Sequence, residues 1–277
     1  MITTIRKKMC SSIDMAKEIR KISLEMVLRS KASHIGSALS ITDILAVLYF
    51  NLIRIYPENP KNENRDIFIL SKGHACVSLY ATIGLKGFFD LKELESYGQN
   101  GSNFMNHISH KVPGVEFSTG SLGHGLPYAT GIALSKKMKK VENQVIVILG
   151  DGELDEGSNW EALLFASHHK LDNLTIVVDY NNLQSLTTVK DTINLEPLVN
   201  KFEAFGCNVS SIDGHDHLEL YEGFKSSLDN KNSKPNVIIA NTIKGKGVSY
   251  MENQVKWHYS TPSQEEFIQA LNEIDNA

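Results

Sequence analysis

The fold of this chain is decided by the stretch Val145-Ile-Val-Ile-Leu-Gly-Asp-Gly152 and by a second of the same kind, Leu174-Thr-Ile-Val-Val-Asp-Tyr-Asn-Asn182. Each begins as an apolar run that predicts a buried strand and ends in glycine or polar residues. The segment between them has helical periodicity, so the three form a βαβ unit whose strands are parallel. Asp151 and Asn181, thirty positions apart, are therefore predicted to meet at the carboxyl edge of the sheet, where open α/β sheets bind ligands.

The chemistry of this pair indicates a hard cation. One carboxylate and one amide oxygen leave most of an octahedron open, as when Mg²⁺ is shared with phosphate oxygens and water. The flanking Gly150 and Gly152 allow backbone to approach a phosphate closely, where a Cβ would collide. The alternative is a tight turn in which Asp151 only caps the next helix.

Composition excludes several classes of protein. Of 277 residues, 42% are hydrophobic and 22% charged, and the net charge of −4 gives no basic footprint for nucleic acid. No run approaches the roughly 20 apolar residues that span a bilayer, and Met1 to Ser12 lacks the apolar core of a signal peptide. The widely spaced Cys10, Cys76 and Cys207 predict reduced thiols in a cytoplasmic protein, with Cys76 as a small buried hydrophobe.

Periodicity along the rest of the chain predicts one α/β domain over residues 1–277, with a mostly parallel sheet flanked by helices. Further strands are predicted over Ile67–Leu70, Gly206–Ile212 and Val237–Ala240, and helices over Ile13–Arg29, Ile41–Ile53, from about Ala75, from Gly125 to about Lys140, Glu196–Phe205 and Pro262–Asn276. The helix after Asp151 is predicted to begin with a capping box, Ser158-x-x-Glu161, and to bury a face that includes Leu164.

The segment from Gly98 to Gly120 has no periodicity and is rich in Gly, Ser, Asn, His and Pro. A stretch of this length without secondary structure inside a domain is usually functional or disordered. Because it contains His107 and His110 together with Phe104 and Met105, we expect an ordered active-site loop.

Known phosphate-binding and catalytic motifs are absent from the sequence. There is no GxxxxGK[ST], and Asp155 stands where a dinucleotide fingerprint needs its third glycine. Neither GxSxG nor HExxH occurs. What remains is a diphosphate held through Mg²⁺ at strand ends, with histidines on neighbouring loops.

Gly150-Asp-Gly152 followed after about thirty residues by Asn181-Asn182 is similar to the thiamine diphosphate-binding motif, and the chain resembles the N-terminal section of transketolase. The resemblance covers nearly the whole chain. Its other motifs are Lys31-Ala-Ser-His34-Ile-Gly36, Ser71-Lys-Gly-His74, Pro113-Gly-Val-Glu116, Ser118-Thr-Gly-Ser-Leu-Gly-His-Gly125, Asp213-Gly-His-Asp216 and Lys244-Gly-Lys-Gly-Val with Trp257-His258.

The resemblance implies a thiamine diphosphate-binding fold and a set of site residues. The metal, Mg²⁺ or in its place Ca²⁺ or Mn²⁺, would be held by the side chains of Asp151 and Asn181 and the carbonyl of Leu183. The diphosphate would contact Gly150, Gly152, His74 and His258. The cofactor rings would lie against Gly120, Ser121 and Leu122. The donor sugar would face His34, His107 and His258. Glu156 and Glu161 would link paired cofactor sites across a subunit interface, although Glu161 could equally be only a helix cap.

The sequence departs from the family pattern at several positions. Asn106-His107-Ile108 stands where the family usually has Gly-His-Pro, and we favour His107 over His110 as the residue facing substrate. His124 stands where many full-length transketolases carry Gln, and Gly-His-Gly resembles the two-subunit type. Tyr259 follows His258 where that type often has Gly, which would crowd the cofactor mouth and alter which sugar fits.

The resemblance also implies a partner. In this family a Glu that acts on the cofactor's aminopyrimidine lies on a pyrimidine-binding domain, and a chain of 277 residues is too short to contain that domain as well. We therefore expect one half of a split transketolase, inactive alone and paired in an α2β2 heterotetramer with a separate pyrimidine-binding subunit. The reaction would transfer a two-carbon ketol unit from a ketose phosphate to an aldose phosphate.

Three alternatives stay open at this point. The chain could be a non-catalytic regulatory or scaffold subunit that retains the fold, although the intact Asp151 and Asn181 argue against that role. It could belong to another thiamine diphosphate enzyme, such as a decarboxylating dehydrogenase or a deoxyxylulose phosphate synthase-like enzyme. It could also act on a modified or nucleotide-linked sugar, which Ile108 and Tyr259 favour.

Overall fold

The sheet has five strands, all parallel, in the order β1-β2-β3-β5-β4. The computed structural model of the protein describes residues 9–277. Residues 1–8, which belong to the segment predicted to contain no signal peptide, lie outside the described residues. The strands are β1 (Ile67–Leu70), β2 (Val145–Gly150), β3 (Leu174–Tyr180), β4 (Asn208–Asp213) and β5 (Asn236–Asn241). The predicted α/β class with a parallel sheet is confirmed.

Helices cover both faces of the sheet. One core cluster contains side chains of α1 (Ser12–Ser30), α2 (Ile35–Ser40), α3 (Thr42–Val47), α4 (Cys76–Lys86), α9 (His217–Asp229) and α10 (Gln264–Asn276). The other contains side chains of α5 (Gly125–Met138), α6 (Gly157–His168), the short α7 (Val189–Thr192) and α8 (Leu198–Ala204). Single turns of 3₁₀ helix lie at Gly73–Ala75, Leu91–Ser96, Gly152–Asp155 and Val255–His258, and a π-helical turn at Leu48–Leu52.

Strand β2 shows why the apolar runs predict buried strands. Ile146 and Ile148 join the first core cluster, whereas Val145, Val147 and Leu149 join the second. Because successive side chains of a strand point to opposite faces, a strand covered on both faces is apolar throughout. Helix α6 connects β2 to the parallel β3, and Gly150 lies in register with Asp179. The predicted βαβ unit is confirmed.

The predicted capping box of α6 is wrong. The helix begins after Glu156, which occupies the N-cap position without a side-chain cap, and Ser158 lies inside the first turn. The Ser158 hydroxyl instead donates to the backbone carbonyl of Gly123, at 2.6 Å. The Ser158 hydroxyl, which the local sequence pattern predicted to cap the helix, therefore bonds to a distant part of the chain instead. Glu161 is an exposed residue in the first turns of α6 and not part of a cap.

Two further expectations need correction. Leu164, predicted on the buried face of α6, is 61% exposed. The predicted helix over Ile41–Ile53 begins earlier, at Ile35, and is interrupted at Ile41 and again by the π-helical turn. Cys76 is fully buried as predicted, and its surroundings raise the pKa of its thiol to about 12 through burial. None of the helices in the described part of the chain combines the length and apolarity needed to cross a bilayer.

Candidate functional site

A cavity of about 260 Å³ opens at the carboxyl edge of the sheet. Its lining brings together chain segments that follow β1, β2, β3 and β5, as expected for a ligand site of an open α/β sheet. The residues that line it are His34, Ser37, Lys72, His74, His107, Gly120, Leu122, Gly150, Asp151, Gly152, Glu153, Asn181, Leu183, Gln184, Ser185, Lys244, His258 and Tyr259.

The side-chain oxygens of two predicted metal ligands meet in this cavity. Asp151 and Asn181 both line it, and the backbone N–H of Asn182 donates to Asp151 Oδ2 at 2.6 Å. The orientation of the Asn181 amide follows from its partners: its Nδ2 donates to Asp179 at 2.9 Å, and its Oδ1 accepts from the N–H of Leu183 at 3.1 Å. The nitrogen is thereby held by a buried carboxylate, which leaves the amide oxygen as the atom available to a cation.

Asp151 is 2% exposed, yet it makes no ion pair with any residue between 9 and 277. Burial, and then the negative charge of Asp179, raise its pKa to about 7. Asp179 differs because it pairs with Lys72, at 2.5 Å. Although burial opposes its ionisation, the Lys72 ammonium and hydrogen bonds lower the pKa of Asp179 below its usual value. Asp179 is thus the carboxylate with an ion-pair partner, whereas Asp151 lies at the cavity without one.

Lys244 brings a second buried ammonium to the cavity. Only 1% exposed, its Nζ donates to the carbonyls of Leu183 and Gln184, at 3.1 and 2.8 Å. Burial, and then the charge of Lys72, lower its pKa to about 8, so it is still mainly protonated at neutral pH. Because Lys72 is paired with Asp179, whereas Lys244 has carbonyl and imidazole partners, Lys244 is the ammonium that faces an anionic ligand in this cavity.

Four histidines from four segments form the other side of the cavity. His34 is central: its ring centroid lies 5.2 Å from that of His74, 5.6 Å from that of His107 and 4.9 Å from that of His258. His34 has φ of 71°, an unusual backbone conformation for a residue with a Cβ, and its N–H donates to the His258 carbonyl at 2.8 Å. The segments before α2 and around His258 are therefore held together at the point where the rings meet.

These imidazoles are neutral at pH 7. Burial, followed by neighbouring charges, lowers the pKa of His34 to about 4 and that of His258 to about 3. His258 Nδ1 lies 3.1 Å from the Lys244 ammonium, which can only donate, so Nδ1 is the acceptor and Nε2 carries the hydrogen. The cluster therefore offers neutral N–H donors and unprotonated ring nitrogens to a ligand.

Glu153 joins three of the segments that shape the cavity. Its carboxylate accepts hydrogen bonds from the Ser71 hydroxyl, from the N–H of Gly123 at 2.9 Å and from the N–H of Gly150 at 3.2 Å. Only 2% of this side chain is exposed. It fixes the glycine loops after β1 and β2 relative to each other.

The family model for "Transketolase, thiamine diphosphate binding domain" matches residues 11–274. The chain belongs to the transketolase family. It is therefore a transketolase-type transferase chain, as its sequence motifs predicted.

Three relatives illustrate the range of the family. The chain is 40% identical to one of the subunits of apulose-4-phosphate transketolase from Phocaeicola vulgatus, covering 92% of this chain and 90% of that protein. It is 39% identical to SqwG, the 6-deoxy-6-sulfo-D-fructose transketolase subunit of a Clostridium species, covering 94% of each. The crystal structure of transketolase from Campylobacter jejuni superposes with a TM-score of 0.90 at 33% identity, over 95% of this chain. The chain spans 42% of that longer transketolase.

The residues of this cavity fit thiamine diphosphate and a divalent metal. Asp151 supplies a carboxylate that makes no ion pair, and Asn181 and Leu183 supply neutral oxygens, a donor set suited to a hard cation, although the Leu183 carbonyl also accepts from Lys244. Among the described residues no three His, Cys, Asp or Glu side chains are grouped around a metal position. Gly152 lies close to Gln184, since a Cβ added there would come within 2.8 Å of Gln184 Cγ. The Gln184 side chain therefore occupies the space that a side chain at position 152 would need.

Most residues predicted for the transketolase site are brought together. His34, His74, His107, His258, Gly120, Leu122, Gly150, Asp151, Gly152, Asn181 and Leu183 all line the cavity. Ser121 and Glu156 do not: both are exposed and lie outside its lining. Their roles, like that of Glu161, stay predictions.

The loop after Gly98 places His107, and not His110, in the cavity. His110 is exposed, and its Nδ1 lies 2.7 Å from the Ser118 hydroxyl. Ile108, expected to influence the substrate, is 1% exposed and packs in the core away from the cavity. Tyr259 does line the cavity, with its ring centroid 4.8 Å from that of His258.

Sequence reasoning missed the charged residues under the site. Lys72 and Lys244 lie within the transketolase motifs but received no predicted role, and neither did Glu153 beside Asp151. A usable signal existed: each of the three closely follows a buried apolar strand, where a charged side chain must have a partner or a ligand.

Proposed function

We propose that the chain, with residues 1–277 as one domain, is the diphosphate-binding subunit of a two-chain transketolase. It depends on thiamine diphosphate and Mg²⁺ and transfers a two-carbon ketol unit from a ketose to an aldose. The observation that carries this proposal is the convergence in one cavity of three kinds of group: the oxygens of Asp151 and Asn181, the ammonium of Lys244, and four neutral histidines.

In this proposal the metal is held by the side chains of Asp151 and Asn181 and by the carbonyl of Leu183. Mg²⁺ would need further oxygen ligands, for which phosphate and water are suited, and Ca²⁺ or Mn²⁺ would use the same protein donors. The diphosphate contacts the backbone at Gly150 and Gly152. His74, His258 and Lys244 would provide further contacts to the diphosphate, and Gly120, Ser121 and Leu122 are the residues proposed to contact the cofactor rings.

Thiamine diphosphate, when bound, supplies the nucleophile and the electron sink for cleaving the ketose carbon–carbon bond. The chain's own contribution is positioning and proton transfer. The unprotonated nitrogens of His34 and His107 accept hydrogen bonds from donor hydroxyls and can take up and return a proton there. The Nε2–H of His258 donates to a substrate oxygen, because its Nδ1 is engaged by Lys244.

A separate protein chain is proposed to carry the pyrimidine-binding domain, giving an α2β2 assembly. Support comes from relatives of matching length that are named as transketolase subunits. The exposed Glu161 also lies on α6 about one turn before Leu164 and Phe165, which are 61% and 41% exposed, and the exposed Glu156 is the N-cap of the same helix. This surface combines apolar area with the carboxylates expected to link paired sites, so we propose that it faces another subunit.

A modified sugar is the second candidate substrate, beside simple sugar phosphates. Two of the relatives are named for apulose-4-phosphate and for 6-deoxy-6-sulfo-D-fructose. Tyr259, 59% exposed at the cavity beside His258, is the feature of this chain that favours such a substrate, because its ring narrows the space next to the donor-facing histidines.

The proposal is tested in two steps. Thiamine diphosphate with Mg²⁺ is first titrated into the wild-type chain, Asp151→Ala and Asp229→Ala, with and without the partner subunit. Two-carbon transfer is then assayed with simple and modified ketose phosphates. We expect Asp151→Ala to abolish binding and transfer, and Asp229→Ala, a change of the same size at an exposed position, to preserve both.

Transfer should require both subunits. Full turnover by the isolated chain contradicts the two-chain proposal, and unchanged turnover in the Asp151→Ala complex contradicts a catalytic role for this site in favour of a regulatory subunit.

A further inference from the structure

Asp43 is a buried carboxylate outside the cavity that gathers three cationic or ring side chains. It is 4% exposed. Arg20 of α1 binds it in a bidentate manner at 3.0 and 2.6 Å. His215 Nδ1 and His217 Nε2, from the turn before α9 and its first residue, lie 2.8 and 3.2 Å from its two oxygens. The cluster therefore ties together α1, α3 and the Asp213-Gly-His-Asp216 motif, which lies outside the cavity lining.

Two members of this cluster also hold the loop that carries Lys244. The Ile243 N–H donates to His215 Nε2 at 2.8 Å, and Arg20 Nε donates to the Lys246 carbonyl at 3.1 Å. These contacts lie immediately before Lys244 and two residues after it. The backbone on both sides of the buried ammonium is thus fixed by side chains that meet at Asp43.

The hydrogen-bond pattern determines the form of His215. Because the Ile243 N–H can only donate, His215 Nε2 must carry a lone pair, and the ring hydrogen lies on Nδ1, where it donates to Asp43. Although burial opposes ionisation of Asp43, the Arg20 guanidinium and the two histidines hold its pKa well below the usual range. An ionised Asp43 thus selects the His215 tautomer that the loop requires, as carboxylates do for metal-binding histidines.

The loop itself is packed closely against its surroundings. A Cβ on Gly245, whose φ is 85°, would lie 2.4 Å from the Met251 carbonyl oxygen, and a Cβ on Gly214 would lie 2.4 Å from Thr242 Cγ2. Gly245 N–H also donates to the carbonyl of Gly36 at 3.0 Å. Close packing and this backbone hydrogen bond therefore act together with the two side-chain contacts to hold the loop.

We propose that Asp43, through His215 and Arg20, positions the Lys244 ammonium for the diphosphate. Asp43 and His215 are positioning residues, since neither lines the cavity. The inference rests on the proposed thiamine diphosphate site and adds to it Asp43, His215 and Arg20, which hold the Lys244 loop from outside the cavity.

His217 provides a matched control. It shares Asp43 with His215, but its other nitrogen lies 2.7 Å from the Ser12 hydroxyl, at the start of α1 and away from the Lys244 loop. Replacing either histidine by Phe removes one hydrogen bond to Asp43 and one to a second group. Only the His215 change removes a contact to the loop itself.

The test is a titration of Mg²⁺ with thiamine diphosphate, and separately with inorganic pyrophosphate, into the full chain alone and with its partner subunit. His215→Phe is expected to lower the affinity for both ligands by about tenfold or more. The affinity of His217→Phe should stay within about twofold of that of the wild type. His215→Gln is expected to restore most of the affinity, because its amide can donate to Asp43 and accept from Ile243. Should either Phe variant fail to fold, the same comparison is made with Ala at both positions.

A double-mutant cycle completes the test. In a Lys244→Met background, His215→Phe should cause no further loss of pyrophosphate affinity, because the ammonium it positions is gone. Equal effects of the His215 and His217 variants, or fully additive losses with Lys244→Met, overturn the inference while leaving the proposed function intact. If the wild-type chain binds no thiamine diphosphate with or without its partner, the proposed function fails and this inference fails with it.

Discussion

The surroundings of Asp151, at the end of β2, orient its carboxylate and favour the binding of a cation. Its two oxygens accept hydrogen bonds from the N–H groups of Gly152 and Asn182, at 2.8 and 2.6 Å. These bonds favour the carboxylate, but burial and the charge of Asp179 outweigh them and raise the pKa to about 7. A divalent ion would favour the ionised carboxylate, so proton and metal would compete for this group.

This competition predicts a pH dependence of stability. In the metal-free folded chain Asp151 keeps its proton up to about pH 7, whereas the unfolded chain loses it near 3.8. The free energy of unfolding of the wild type, relative to Asp151→Asn, should therefore fall as pH rises through this interval, by about 1.4 kcal/mol per unit. Above the folded pKa the difference should level off. Urea unfolding in the presence of a chelator measures it.

Added Mg²⁺ is the control for this prediction. It should stabilise the wild type more at high pH than at low pH and should have little effect on Asp151→Asn. A difference between the two proteins that does not change with pH would contradict a raised Asp151 pKa.

Asp179→Asn should destabilise the protein severely. The change leaves the Lys72 ammonium, 2% exposed, without its ion-pair partner, and breaking a buried pair in this way costs about 3–5 kcal/mol. Asp275→Asn is the control, because the Lys21–Asp275 pair has side chains 27% and 59% exposed and should contribute less than about 1 kcal/mol. Equal urea midpoints for the two variants would show that breaking the Lys72–Asp179 pair costs no more than breaking an exposed pair.

Helices and strands could be predicted from the sequence where the periodicity of apolar residues and the order of the elements determine them. The predictions failed where a contact with a distant part of the chain determines the local structure. The apolar runs at Val145 and Leu174 predict strands, and the chain between them predicts their parallel arrangement, so the meeting of Asp151 and Asn181 could be foreseen. Ser158 could not be assigned correctly, because its hydroxyl bonds a carbonyl from a distant loop. The exposure of Leu164 likewise depends on what packs against α6.

Tyr80, a core side chain, is one of the groups that hold the long loop after Gly98. Tyr80 of α4 is fully buried, and its hydroxyl accepts from the Ser109 N–H at 3.1 Å and donates to the His107 carbonyl at 3.3 Å. Tyr80→Phe should leave the buried Ser109 N–H unsatisfied, at a cost of about 1–3 kcal/mol. Hydrogen exchange at Ser109 should become faster, and His107 should be held less firmly.

Tyr97→Phe is the matched control for this loop. Tyr97 is also buried, but its hydroxyl contacts the Cys76 sulfur, at 3.9 Å, rather than the backbone at Ser109. Its removal should leave exchange at Ser109 unchanged. Faster exchange in Tyr97→Phe than in Tyr80→Phe would show that general loosening of the core, and not the Tyr80 hydroxyl, controls the loop.

The molecule as a whole has a larger cavity than the proposed site. It measures about 650 Å³ and lies at the opposite edge of the sheet, beside the residues that precede β1, β2 and β3. Its charges are mixed and partly paired with one another, as in the Arg54–Asp66 and Lys137–Asp172 pairs. The volume of the cavities therefore favours the amino edge as the ligand site, whereas the oxygen donors and the neutral histidines favour the carboxyl edge.

We expect thiamine diphosphate to bind at the carboxyl edge, because the residues there fit the ligand, although the cavity at the amino edge is larger. Lys244→Met at the carboxyl edge should weaken thiamine diphosphate binding in the presence of Mg²⁺ by at least about tenfold, since it removes a buried ammonium that faces the cavity. Lys225→Met, the same change at the amino edge, should leave affinity within about twofold of wild type, because an exposed lysine near paired charges contributes little. Isothermal titration of both variants decides between the edges. A larger loss in Lys225→Met would place the diphosphate at the amino edge and would remove the basis for assigning the metal to Asp151 and Asn181.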